Sequence, residues 1–164
     1  MKTVVGIILG IATLIFWIHL AILAVHQTQN CTGHLKRAAD ANTIDLALKE
    51  LTVAIDYIEA KGLTEGYTSV FWKTPGEDLG FFYTNLMNCR EELIVASWSE
   101  DQLMKSNVLM KLRETLIDNG EKGDSLTYPD GMSRYPHNVR YAILWGLFFT
   151  TWILYGLWLV IDLE

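Results

Sequence analysis

Residues 3–25 read TVVGIILGIATLIFWIHLAILAV and residues 141–161 read YAILWGLFFTTWILYGLWLVI. Neither stretch contains Asp, Glu, Lys or Arg. At ~1.5 Å of rise per residue the first covers about 34 Å, slightly more than the ~30 Å hydrocarbon core of a bilayer, so a modest tilt fits it. Both are expected to be transmembrane helices, an N-terminal signal anchor over 1–26 and a C-terminal span over 141–162. The anchor is expected to be retained, because its 23 residues are long for a cleaved hydrophobic region and no A-x-A site closes it.

Between them lies a polar segment, 27–140. Only Lys2 among 13 basic residues, and only Asp162 and Glu164 among 19 acidic ones, fall outside it, so it is mildly acidic. Nucleic acid and anionic headgroups reward basic clusters, which the segment lacks. Its size is that of one ordinary domain with its own core. Lys36, Arg37, Arg134 and Arg140 near its ends favour retention in the cytoplasm. However, loops beyond ~60 residues translocate largely regardless of charge, and an anchor led by Lys2 holds its tail inside. The expected localisation is a double-pass integral membrane protein with an extracytoplasmic middle domain, whether periplasmic, extracellular or lumenal, and cytoplasmic termini.

The middle segment carries a helical period. Ile44, Leu48, Leu51, Ile55 and Ile58 recur at four, three, four and three, an apolar seam of coiled-coil type. The spacing predicts a helix over 34–61, stopped by Gly62. Thr74-Pro75-Gly76-Glu77 reads as the start of a second helix, 75–97, with Leu79, Phe82, Leu86, Cys89 and Leu93 as its seam. Ser97-Trp98-Ser99-Glu100 supplies a break and a new cap for a third, 100–118, with Leu109, Leu112 and Leu116 inward. In the turn-rich segment 119–140, Tyr128-Pro129-Asp130-Gly131-Met132 signals the turn of a small hairpin. The expected fold is therefore all-α: two transmembrane helices flanking a three-helix, antiparallel, coiled-coil-like extramembrane bundle, with a small β-hairpin before the second span.

Chemistry-bearing residues are few. His19, His26 and His137 are the weak candidates for a haem or metal site on the outer side, since imidazole is the usual ligand. Against this, an interfacial imidazole is readily satisfied by a hydroxyl, a carbonyl or water. Cys31-Thr32-Gly33-His34 has the gap of a zinc half-site but no second half follows. No cofactor and no metal are expected. On helix spacing Cys31 and Cys89 stand at different heights. Cys89 is then a small core residue, and Cys31 is free or paired with a second copy.

In the apolar runs, Gly6 and Gly10 form a GxxxG, and Ala142, Gly146 and Thr150 form a ridge of small residues. Depth matching sets Gly10 against Gly156 within the chain and leaves the ridge for a partner. Trp152 at mid-span suggests contact with protein or with a flat apolar ligand. In layout alone the chain is similar to helical-bundle receptor domains held between two membrane spans, without their cytoplasmic output module.

The functional expectation is a non-enzymatic membrane protein displaying a helical interaction domain, an accessory or structural subunit for another membrane or extracytoplasmic protein. Its partners are membrane lipid and a protein or second copy met through the membrane helices. Two alternatives stay open: a ligand-sensing module signalling through partner helices, and a haem- or quinone-binding redox subunit using His19 and His26.

Overall fold

A computed structural model describes residues 2–120 and 123–161. The outer limits at 1 and 162, and positions 121 and 122 of the turn-rich segment, lie outside the described residues. The described residues form five helices and one two-stranded hairpin: α1 (Lys2–Ala39), α2 (Ile44–Ala60), α3 (Leu79–Ser97), α4 (Gln102–Leu116), β1 (Ile117–Gly120), β2 (Gly123–Leu126) and α5 (Asn138–Ile161).

The first departure from expectation is that α1 does not end at residue 26. It continues to Ala39 through one wide π turn, Thr28–Thr32, in which the Gly33 N–H donates to the Thr28 carbonyl. A Cβ on Gly33 would sit 2.6 Å from that oxygen, so glycine is what the wide turn tolerates. The extra residue re-phases the helix by ~100° and turns Cys31, Leu35 and Ala38 into the core.

The second departure follows from the first. The helix expected over 34–61 breaks at Asp40–Thr43, where Thr43 is extended (φ −135°) and its side chain accepts from the Leu46 N–H, capping α2. Asp40, Asn42 and Thr43 offer the backbone local hydrogen bonds that compete with the helix, and folding back there lets two short apolar faces bury each other. The segment between the two apolar stretches is thus packed as a four-helix bundle rather than a three-helix one. The upper part of α1 packs on α2, α2 on α3, α3 on α4, and α4 returns to α1.

Its core holds Cys31, Leu35, Ile44, Leu51, Ile55, Ile58, Leu79, Phe82, Leu86, Cys89, Leu93, Leu112 and Leu116, with Leu48 and Leu109 half-buried against it. The burial of Cys31 leaves its thiol inside the bundle, not at a surface where a second copy could pair with it, and pushes its pKa to about 12. Both cysteines are free thiols.

Local chemistry moves three further boundaries. Thr74 bonds the Glu77 carboxylate through its side chain, Pro75–Glu77 forms a 3-10 turn, and the cap of α3 is Asp78, accepting from the Phe81 N–H at 3.1 Å. Asp101, not a serine, caps α4, accepting from the N–H groups of Leu103 and Met104. The hairpin pairs Ile117 with Leu126 and Asp118 with Ser125, upstream of the proline turn. Two apolar residues face each other at its base, while Asn119 and Gly120 lie in the ladder itself, paired with Asp124 and Gly123. Tyr128–Met132 instead leads into a 3-10 turn, Met132–Arg134, with Gly131 at φ 74°.

One ion cluster ties α1 to α2. The Glu50 carboxylate, only 3 % exposed, takes His34 Nδ1 at 2.6 Å and Arg37 at 2.7 Å. At the bundle surface, Arg113 bridges Asp40 and Asp124, and Lys111 meets Glu92.

Among the described residues α1 and α5 are the two helices long and apolar enough to cross a membrane; across 3–25 and 139–161 most of their apolar side chains are exposed and only Phe16 is buried. They run side by side, stitched by aromatics rather than by glycine contacts. Tyr155 lies over Gly6 and donates to the Lys2 carbonyl, Trp152 Nε1 donates to Thr13 Oγ1 at 2.9 Å, and Phe16 meets Phe148 and Tyr141. A Cβ on Gly10 or Gly156 would meet nothing within 4 Å, whereas one on Gly6 would meet Tyr155, so the close approach falls at Gly6–Tyr155 and not at the expected Gly10–Gly156. Trp152, expected to face a partner or ligand, spends its N–H on α1. Gly6→Leu would drive a side chain into Tyr155 and should lower the thermal midpoint of the full-length protein in detergent, at a cost of about 1–3 kcal/mol. Gly10→Leu should leave it unchanged, and equal shifts would mean that Gly6 does not hold the pair together.

Candidate binding site at the foot of the bundle

The three histidines named as weak candidates lie apart from one another. His19 Nε2 lies 2.9 Å from Tyr141 Oη, its ring stacked on the tyrosine, and His26 Nδ1 lies 3.4 Å from Tyr57 Oη. His137 enters through its backbone, donating to the Arg134 carbonyl as α5 begins. Cys31 and His34 of the zinc half-site part company, the first into the core and the second onto Glu50. Among the described residues no group of three or more His, Cys, Asp or Glu is arranged to hold a metal ion.

Of the small ridge on α5, Gly146 meets nothing within 4 Å, and the Thr150 hydroxyl bonds its own helix at the Leu147 carbonyl. Ala142 lines a cleft where α5 leaves the bundle.

Its construction starts from turn chemistry. Gly66, at φ 92°, lets the connector after α2 pass under Tyr135, whose hydroxyl donates to the Glu65 carbonyl at 3.1 Å. The connector is then pinned by Asn138, the first residue of α5, whose Nδ2 donates to the Thr68 carbonyl at 2.6 Å and to the Gly131 carbonyl at 3.0 Å. A Cβ on Gly131 would lie 2.8 Å from that nitrogen, which is why glycine stands in the turn. The Thr68 N–H donates to the Glu77 carbonyl, completing a roof of irregular backbone over the α1–α5 pair.

Beneath this roof is a cleft of about 360 Å3. Its lower wall is apolar, formed by Phe16, Trp17 and Leu20 of α1 with Ala142 and Trp145 of α5. Its upper wall is polar, formed by Thr68, Ser69 and Asn138, with Glu77, Asp130 and Arg134 also lining it. Three of these residues carry buried side-chain oxygens without a hydrogen-bond partner: Thr68 Oγ1, Ser69 Oγ and Asn138 Oδ1. Thr68 is 3 % exposed and Asn138 7 %. Buried polar atoms are normally paired, since leaving one unsatisfied costs roughly 1–3 kcal/mol. A smaller cleft of about 120 Å3 between the start of α3 and the Thr127–Pro129 segment lines no such orphaned atom. Beside the larger cleft, Phe71 and Trp72 of the same connector stand exposed, ring against ring.

Nothing periodic in the sequence pointed here. Thr68 and Ser69 belong to a connector, and Asn138 precedes the second apolar run. The usable signal is an Asn at the head of an apolar helix seven residues after a turn glycine. No protein-family model matches the chain, no curated protein matches it in sequence and no solved structure matches it.

Proposed function

We propose that this chain is a non-enzymatic double-pass membrane protein, with α1 and α5 inserted side by side in a bilayer and the four-helix bundle displayed extracytoplasmically as an interaction module. In this reading it serves as an accessory or structural subunit of another membrane or extracytoplasmic protein. The observation that carries it is that, away from their mutual contact, most apolar side chains of 3–25 and 139–161 in two paired helices of membrane-spanning length are exposed. In water such a surface would be a severe liability, whereas in hydrocarbon it costs nothing. Three of the four histidines are spent on structure, His19 and His26 on tyrosine hydroxyls and His34 on Glu50, which favours display over catalysis. At the distal end, Val95, Trp98 and Leu103 are exposed around the α3–α4 turn, and an exposed Trp there is the kind of residue that anchors a partner.

Cys31 and Cys89 are too buried to report topology. The probe is Glu100→Cys at the exposed α3–α4 turn. In intact cells a membrane-impermeant maleimide should label it without lysis. Labelling only after lysis would place the bundle in the cytoplasm. Release of the protein from membranes by alkaline carbonate would overturn the membrane reading itself.

A further inference from the structure

We propose that the cleft at the foot of the bundle binds the neutral, hydroxyl-bearing headgroup of a membrane amphiphile, a glycerol- or sugar-type polyol. Its acyl chain lies against Phe16, Trp17 and Trp145. This deepens the functional reading above and rests on α1 and α5 lying in a bilayer.

The volume is the first argument. About 360 Å3 would take on the order of twelve waters at ~30 Å3 each, and it falls within the ~300–1,000 Å3 of small-molecule sites. Water alone suits only half of it, because the lower wall is aromatic and aliphatic. The walls change from apolar to polar along the direction in which α1 and α5 leave the membrane, which is the gradient an amphiphile carries along its own length.

The donor and acceptor inventory selects the headgroup. Both Nδ2 hydrogens of Asn138 are committed to the Thr68 and Gly131 carbonyls, so its free Oδ1 can only accept. The Thr68 and Ser69 hydroxyls each offer one donor and can accept as well. The bound group must therefore donate to one wall atom and exchange hydrogen bonds with two others, which hydroxyls do. A phosphate offers acceptors only and leaves Oδ1 unpaired, and choline has no donor at all. The charged groups of the lining agree: two carboxylates, Glu77 and Asp130, face one guanidinium, Arg134, a balance that disfavours an anionic headgroup.

The test uses the full-length protein reconstituted in phosphatidylcholine vesicles with a photoreactive monoacylglycerol carrying a diazirine in its chain. Flotation of the same samples reports insertion separately. Photolabel should concentrate on peptides spanning residues 16–20 and 141–145. Unlabelled monooleoylglycerol should compete it away, and phosphatidylglycerol and free glycerol should not. Thr68→Val combined with Ser69→Ala should lower the labelling roughly tenfold or more, the effect of losing one to two hydrogen bonds. In vesicles without monoacylglycerol the same variant should melt no lower than wild type, because it removes orphaned hydroxyls rather than contacts. Equal labelling of wild type and double variant would overturn the proposal. So would displacement by phosphatidylethanolamine but not by monooleoylglycerol, which would replace hydroxyl with amine chemistry. Protein that fails to float would refute the membrane reading, whereas protein that floats and takes no saturable label refutes only the cleft.

Discussion

Leu51→Asp is expected to abolish the cooperative unfolding transition of the bundle, leaving a chain with helical content but no fixed packing. Leu51 is fully buried, 0 % exposed, on the α2 face that meets both α1 and α3. The substitution removes a leucine worth about 1.5–3 kcal/mol of burial and leaves an unpaired carboxylate in apolar surroundings. Together these rival the ~5–15 kcal/mol that holds a whole domain. Lys49→Asp, two residues away and exposed, turns the favourable Asp45–Lys49 spacing into a repulsion of a few tenths of a kcal/mol and should shift the midpoint only slightly. Circular dichroism melts of both full-length variants decide the matter. Similar midpoints would mean that Leu51 does not sit in the seam.

A comparable loss is expected from His34→Ala combined with Arg37→Ala. The Glu50 carboxylate is nearly closed off from water and both its oxygens are taken by these two side chains. Removing them strands a charge, at about 3–5 kcal/mol for a truncated buried pair. Adding Glu50→Met to that double variant should restore most of the lost stability, since an apolar side chain of similar length no longer needs partners. The result that sinks this account is a triple variant as unstable as the double. In that case packing of His34 and Arg37, and not the stranded carboxylate, would explain the loss.

The seams were legible because a 3.6-residue period survives any rearrangement of helix ends: Ile44, Leu51, Ile55 and Ile58 share a face whether α2 begins at residue 34 or 44. The reversal at Asp40–Thr43 was not, because Thr43 caps without an acidic residue three positions on, and because the π turn at Thr28–Thr32 leaves no compositional mark beyond Gly33. The same limit hid the contacts between the two apolar helices. Glycine spacing suggested close backbones, but which ring lies over which glycine depends on rotation of two whole helices, set by Tyr155, Trp152 and Phe148 together. The cleft was least legible. Its polar atoms come from a connector and a helix start that meet only in the folded chain, and its donors become scarce only once Asn138 has spent its amide on two carbonyls.

The 38 residues of α1 form one rod of about 57 Å at helical rise, of which ~30 Å suffices for the hydrocarbon core. The remaining half is not a tether but the first post of the bundle, and no flexible joint separates the two. The height of the domain is therefore measured in helical turns. With α1 inserted as proposed, contacts made through Trp98 would occur at an altitude fixed within a few ångströms, and a partner of different stature could not be reached by swivelling. Tilting the rod by ten degrees would sweep its outer end sideways by roughly 5 Å over the exposed half. On that proposal the bundle would work as the pointer of a gauge whose spindle is sunk in the membrane.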